Sequence, residues 1–237
     1  MRHRGLSVVL AIFLAAAPAR SNFLDKLFGR GSLSEDTIAA GLKEALDVGT
    51  ANAVASTGRL DGYFKNEAIK ILMPEKLKPV EKGLRAIGRG EDVDALVMSM
   101  NRAAEKAAPQ AKAIFKDALA HMTITDAKNI LRGGDTAATE FFRAKTSERL
   151  TASFRPAVSS ALSEVGATKR YKDLVGRYSA LPFVKSPSLD LDAHVTGKAL
   201  DGLFHVLGEE EKKIRKDPAA RVTKLLKEVF SKSASSG

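Results

Sequence analysis

Asn101, Arg102 and Glu105 fall within about one helical turn of the stretch MNRAAEKAAP, residues 100–109. An amide, a guanidinium and a carboxylate at this spacing form a candidate polar grip. Asn101 and Glu105 are i,i+4 neighbours, so their side chains meet on one helix face. Facing inward between helices, the group would make an acid or base with a displaced pKa, met by Glu210 or Arg215 from a later helix. Facing water, it is an ordinary solvated surface. The apolar stripe through Met100, Ala103 and Ala107 passes beside Asn101 and Glu105, which puts both at its boundary.

A second candidate is ILRGGDTAATEFF, residues 130–142. Gly133, Gly134, Asp135 and Thr136 stand where one helical pattern stops and the next starts. Clustered backbone N–H groups at a helix N-terminus bind phosphate. The stretch lacks the Gly-Lys-Ser/Thr ending of a nucleotide loop, and the Asp135 carboxylate would repel a phosphate. The reading that accounts for every residue is a joint: Gly133 ends a helix in a left-handed conformation, Gly134 turns the chain, and Asp135 caps the next helix.

Other chemistry is thinly represented. The chain has no cysteine, so it holds neither a disulfide nor a thiol nucleophile. No two of His121, His194 and His205 stand at i,i+3 or i,i+4. The best metal-like grouping, Asp190-x-Asp192-x-His194, needs one of its carboxylates to cap the helix that follows. No metal site and no cofactor site is expected. No Gly-x-Ser-x-Gly elbow is present.

The elements that must position these residues are helical. Apolar residues recur at 3.6-residue spacing and strand alternation is nearly absent. Ser32-x-x-Glu35 reads as a capping box opening a helix to about residue 56. Residues 68–73 form a short extended segment, either a strand or a covering loop, ending at Pro74. A helix starting near Pro74 carries Leu77, Val80, Leu84 and Ile87 on one face. A long helix from Asp92 to about His121 carries the stripe Leu96, Met100, Ala103, Ala107, Ala111, Ile114, Ala118 and Met122. Pro109 inside it predicts a break. A short helix spans residues 126–131. Another starts at Thr136 and carries Phe142, Thr146, Leu150 and Phe154; Pro156 restarts it and Gly166 ends it. A helix then follows Thr168, a loop occupies residues 181–192, and helices cover residues 192–216 and 218–230. The expectation is an all-α, bundle-like single domain of about eight helices over residues 33–230, with a linker at 20–32 and a frayed tail at 231–237.

The N-terminus, MRHRGLSVVLAIFLAAAPARS, pairs two arginines with a short apolar run and an Ala17-Pro18-Ala19 triplet. This is the layout of a secretory signal peptide cleaved near Ala19, and the run is shorter than the roughly 20 residues needed to span a bilayer. Removing Arg2 and Arg4 from the 38 basic residues leaves 36 against 28 acidic, about +8. Such a balance favours anionic partners such as membrane surfaces. The amphipathic segment 218–230 could touch a membrane interface. Scattered basic residues and the absence of tryptophan argue against nucleic acid.

Six ordered segments carry a family resemblance: GLKEAL (41–46), DGYF with PEKL (61–64, 74–77), MNRAAE with the following AP (100–109), ILRGGDTAAT (130–139), ALDGLF (199–204) and EEKKIRKDPAAR (210–221). Over about residues 33–230 the chain resembles the bacterial family catalogued as domain of unknown function 4197. The resemblance implies an exported or envelope-associated, mostly helical protein. It implies no activity and no catalytic residue. The leading functional expectation is an exported, periplasmic, non-enzymatic helical protein. It binds an apolar small molecule along Met100, Ala107 and Ile114, or an envelope protein. The alternatives are an enzyme with its site at Asn101, Arg102 and Glu105, and a module docking on anionic envelope surfaces.

Overall fold

The computed structural model describes residues 34–179 and 189–216. The expected signal peptide, residues 181–188 of the expected loop, and the amphipathic segment 218–230 lie outside the described residues. The described chain is helical and contains no strand. Helix α1 spans Glu35–Gly58. Its cap is Ser34, not the expected Ser32: the Ser34 hydroxyl accepts the Thr37 amide at 3.2 Å and satisfies one orphan N–H of the first turn.

Residues 59–74 follow as an irregular strap. The expected extended segment is here a turn at 67–69 and irregular backbone at 70–74, a covering loop rather than a strand. A 3₁₀ turn at Glu75–Leu77 leads into α2, Lys78–Ala86. Leu77, Val80 and Leu84 are buried as the spacing predicts, but Ile87 lies past the helix end and is exposed.

Helix α3 spans Gly90–Ala107 and α4 spans Ala111–Ala120, separated by a 3₁₀ turn at Ala108–Gln110. The break stands at Pro109, whose ring cannot share the α-helical ladder. Across the break the stripe stays inward. Met100, Ala103, Ala107 and Ala111 have no exposed surface, and Ile114 is partly buried against the core.

Helix α5, Ile124–Arg132, opens on a capping box in which Thr123 and Asp126 exchange hydrogen bonds. Helix α6 spans Ala137–Glu164 and runs straight through Pro156, where a restart was expected. Pro156 lies on the exposed side of the helix, so the carbonyl it leaves unbonded one turn back faces water. Phe154 and Val158 on either side are fully buried and hold the helix to the core. Helix α7 spans Ala167–Ser179, and α8 spans Leu191–Lys216. Asp190 caps α8 by accepting the Ala193 amide at 2.8 Å, and its second oxygen receives Arg155 of α6 at 2.8 Å.

Helix α6 is the hub, packing against α8, α3, α4, α5 and α7, while α1 lies across α8 and α4. Phe115, Phe142 and Phe204 meet edge-on where α4, α6 and α8 converge, with centroids 5.2 Å and 6.1 Å apart. Thr146 sits in this core because its hydroxyl donates to its own helix at the Phe142 carbonyl.

Candidate functional site

Asn101 and Glu105 are buried, not at a boundary: Asn101 is 0% and Glu105 4% exposed. Their partner is the strap at 59–74. Asn101 Oδ1 accepts the Ile71 amide at 2.8 Å, and Nδ2 donates to the Ile71 carbonyl and to the Val97 carbonyl, each at 2.8 Å. A side-chain amide pairs here with both backbone groups of one residue, as a neighbouring strand would. Glu105 Oε1 accepts the amides of Tyr63 and Phe64, both at 3.1 Å, and Oε2 receives Arg102 Nη1 at 2.7 Å. An irregular segment leaves backbone polar groups without a ladder, and these two side chains replace it.

Arg102 continues the network to Asp61, 2.6 Å away, and Asp61 also receives Lys65 at 2.7 Å. The Lys65 hydrogen bond first, then that of Arg102, holds the Asp61 carboxyl below its ordinary range. Asp61 has φ +65°, a left-handed conformation that Asp tolerates better than most side chains. Gly62 is next, and a Cβ there would stand 2.6 Å from the Thr57 carbonyl oxygen, so the turn admits no side chain. Tyr63 is fully buried, and its hydroxyl donates to the Ala199 carbonyl of α8 at 2.6 Å. Burial pushes its phenol far above the ordinary range. Neither Glu210 nor Arg215 reaches this cluster: Glu210 accepts from Asn52, and Arg215 bonds Glu211 and the Ile130 carbonyl.

The glycine stretch at 133–136 is a joint of a different construction from the expected one. Gly133 has φ −75° and ψ 178°, extended rather than left-handed. Glycine is required there by crowding, since a Cβ would collide with that of Ala137. Asp135 does not cap α6; it pairs with Lys216 at 2.5 Å, and the Thr136 side chain makes no cap bond either. The cap comes from across the core. Glu211 of α8, 4% exposed, accepts the Ala138 amide at 2.9 Å through Oε1, and the Thr139 amide at 2.8 Å and hydroxyl at 2.9 Å through Oε2. A carboxylate of the chain thus occupies the place where an anion would bind the helix N-terminus.

Pinned along α3, the strap leans on α8 and encloses a cleft of about 430 Å³. Ile69, Lys70, Leu72 and Met73 wall one side; His194, Lys198, Asp201 and His205 line one face of α8 opposite, with Gly202 between. Gly202 sets how closely the walls meet, because a Cβ there would stand 2.7 Å from Tyr63 Cε1 and 3.1 Å from Ile69 Cβ. His194 is half-buried, and its Nε2 makes no hydrogen bond. Burial first, and the charge of Lys198 as a smaller cause, lower its pKa; the Leu72 backbone opposes this without reaching bonding geometry. No group of three His, Cys, Asp or Glu side chains suited to a metal occurs among the described residues. A broader depression of about 680 Å³ lies along α6 beside Arg155 and Pro156.

The spacing argument thus brought Asn101, Arg102 and Glu105 into one cluster, but it missed Asp61, Tyr63 and Glu211. A signal for Glu211 was present. Glu211 falls four residues after Leu207 and three before Ile214, in phase with the buried stripe of α8, but Glu210, four after Val206 and four before Ile214, shares that spacing, so only the fold separates the two. No curated protein and no solved structure matches the chain. The profile of one family does match, over residues 32–231, and its description is "Protein of unknown function (DUF4197)". With most of its length, including the strap, the joint and α8, inside that match, the chain belongs to the DUF4197 family.

Proposed function

We propose that this chain is an exported, non-enzymatic binding protein of the cell envelope, with its ligand site in the cleft between the strap and α8. One observation carries the reading: Asn101 and Glu105 are committed to strap backbone, and the strap they hold forms one wall of a cleft. Buried polar groups of this kind serve positioning, because each hydrogen-bonding atom already has a partner. The cleft has the size of an ordinary small-molecule site and mixes apolar walls with a few polar groups. Export rests on the basic, apolar and small-residue order of residues 1–19.

Native mass spectrometry of protein purified from the periplasm without detergent, followed by organic extraction, tests both parts. The expected polypeptide begins near Arg20 and carries an additional, extractable mass. A chain that retains residues 1–19 counts against cleaved export, and a bare polypeptide mass counts against a retained ligand.

A further inference from the structure

We infer that the cleft between the strap and α8 takes a small amphipathic anion, with its oxyanion head at Lys198 and Lys70 and a short apolar body over Ile69, Leu72 and Met73. This rests on the binding role proposed above and names the ligand's chemical class.

Charge is the first argument. The lining holds Lys70, Lys198, His194 and His205 against Glu75 and Asp201. Both carboxylates have cations outside the lining: Glu75 pairs with Lys78 at 2.8 Å, and Asp201 stands 3.7 Å from Arg143. Solvent weakens both of these exposed pairs, so the surplus charge rests on Lys198. Lys198 makes no ion pair among the described residues. Lys70 meets the 83% exposed Glu67 at 3.3 Å, a pair that solvent weakens. Its ammonium stands 5.0 Å from the Phe64 ring centroid, so it is placed rather than free to sweep the surface. Uncompensated positive charge in a recess attracts and concentrates anions.

The apolar wall is the second argument. Ile69 and Met73 turn their side chains inward, yet Leu72 between them is 62% exposed. A branched apolar side chain held in water at the cleft wall is stabilised on contact with an apolar ligand, because the contact removes its surface from water. His194 Nε2 adds a third, a buried nitrogen with no partner beside the same cavity, where buried polar atoms ordinarily have one.

The test is isothermal titration of the purified full protein with octanoate, octylamine and inorganic phosphate. Octanoate should bind and octylamine should not. Lys198→Gln, a change at an exposed position, should weaken octanoate by about tenfold, the loss of one charge-assisted hydrogen bond. Leu72→Ser should weaken it several-fold. Arg155→Gln, in the depression along α6, should leave it unchanged. Octylamine binding as tightly as octanoate overturns the proposal, as does an unchanged affinity in Lys198→Gln. Inorganic phosphate binding as tightly as octanoate overturns the apolar half. If neither octanoate nor octylamine binds a protein that carries an extractable ligand, the anion assignment falls alone. If neither binds a protein that arrives bare, the binding role falls with it.

Discussion

Asn101 makes three hydrogen bonds to backbone, two of them to the N–H and C=O of Ile71. Asn101→Leu keeps approximate volume but strands a buried amide and carbonyl. The expected loss of stability is roughly 2–4 kcal/mol, read as a lowered urea midpoint with the slope unchanged. A second residue-scale expectation concerns His194. Burial depresses its pKa below 6.5 in the folded chain, so at pH values below that figure the unfolded state binds the proton more readily than the folded one. Stability therefore rises with pH through this window and falls on acidification. Lys198 on α8 and the Leu72 backbone are the groups that tune this histidine. An imidazole titration by NMR that finds the midpoint at or above 6.5 would contradict the burial argument.

At the scale of elements, the polar residues join helices that sequence separates widely. Glu211, near the end of α8, closes the first turn of α6, and Arg215 binds the same carboxylate and the Ile130 carbonyl of α5. Three helix ends meet at this carboxylate–guanidinium pair. Glu211→Ala should cost about 2–4 kcal/mol by exposing amides and a guanidinium that lose their partner. Hydrogen exchange should show the effect first at Ala138 and Thr139, while the middle of α6 near Leu150 keeps its protection. In the unaltered protein, phosphate should cause no saturable amide shifts at residues 133–139, because Glu211 already fills the anion position; saturable shifts there would restore the cradle reading. Pro109 and Pro156 show how context decides an element. The first breaks the helical run between α3 and α4, and the second rides on the exposed side of α6 with the ladder intact around it.

At the scale of the whole molecule, the described residues form a set of helices around α6 with an irregular strap laid over α3 and α8. At Gly202 the strap and α8 stand too close to admit a Cβ. Gly202→Val should force them apart, costing about 1–3 kcal/mol and enlarging or opening the cleft. Its expected signature is loss of octanoate binding with the helical circular dichroism retained below the lowered melting temperature. Helical content that collapses at all temperatures would show that the strap contact is needed for folding, beyond shaping the cleft.

Much of this architecture was legible because helical periodicity is local. Thr146 with its buried phenylalanine and leucine neighbours on α6, the stripe from Leu96 to Met122, and the break at Pro109 follow from spacing and from the chemistry of one residue. The adjacency of Asn101, Arg102 and Glu105 followed from spacing too. Their direction did not: a residue beside an apolar stripe lies at a boundary until another segment covers it, and the strap at 59–74 does so through contacts 30 and 42 residues away in sequence. The joint at 133–136 shows the same limit. Gly-Gly-Asp-Thr announces a turn between helices, whereas the cap on α6 is a carboxylate 72 residues or more away. By itself the sequence determined the all-helical class, the approximate places of the described helices and the family. Tertiary structure alone decided which polar groups are buried, what they hold, and that Lys70 and Lys198 face one cleft, because burial and long-range hydrogen bonding depend on segments that meet only when the chain is folded.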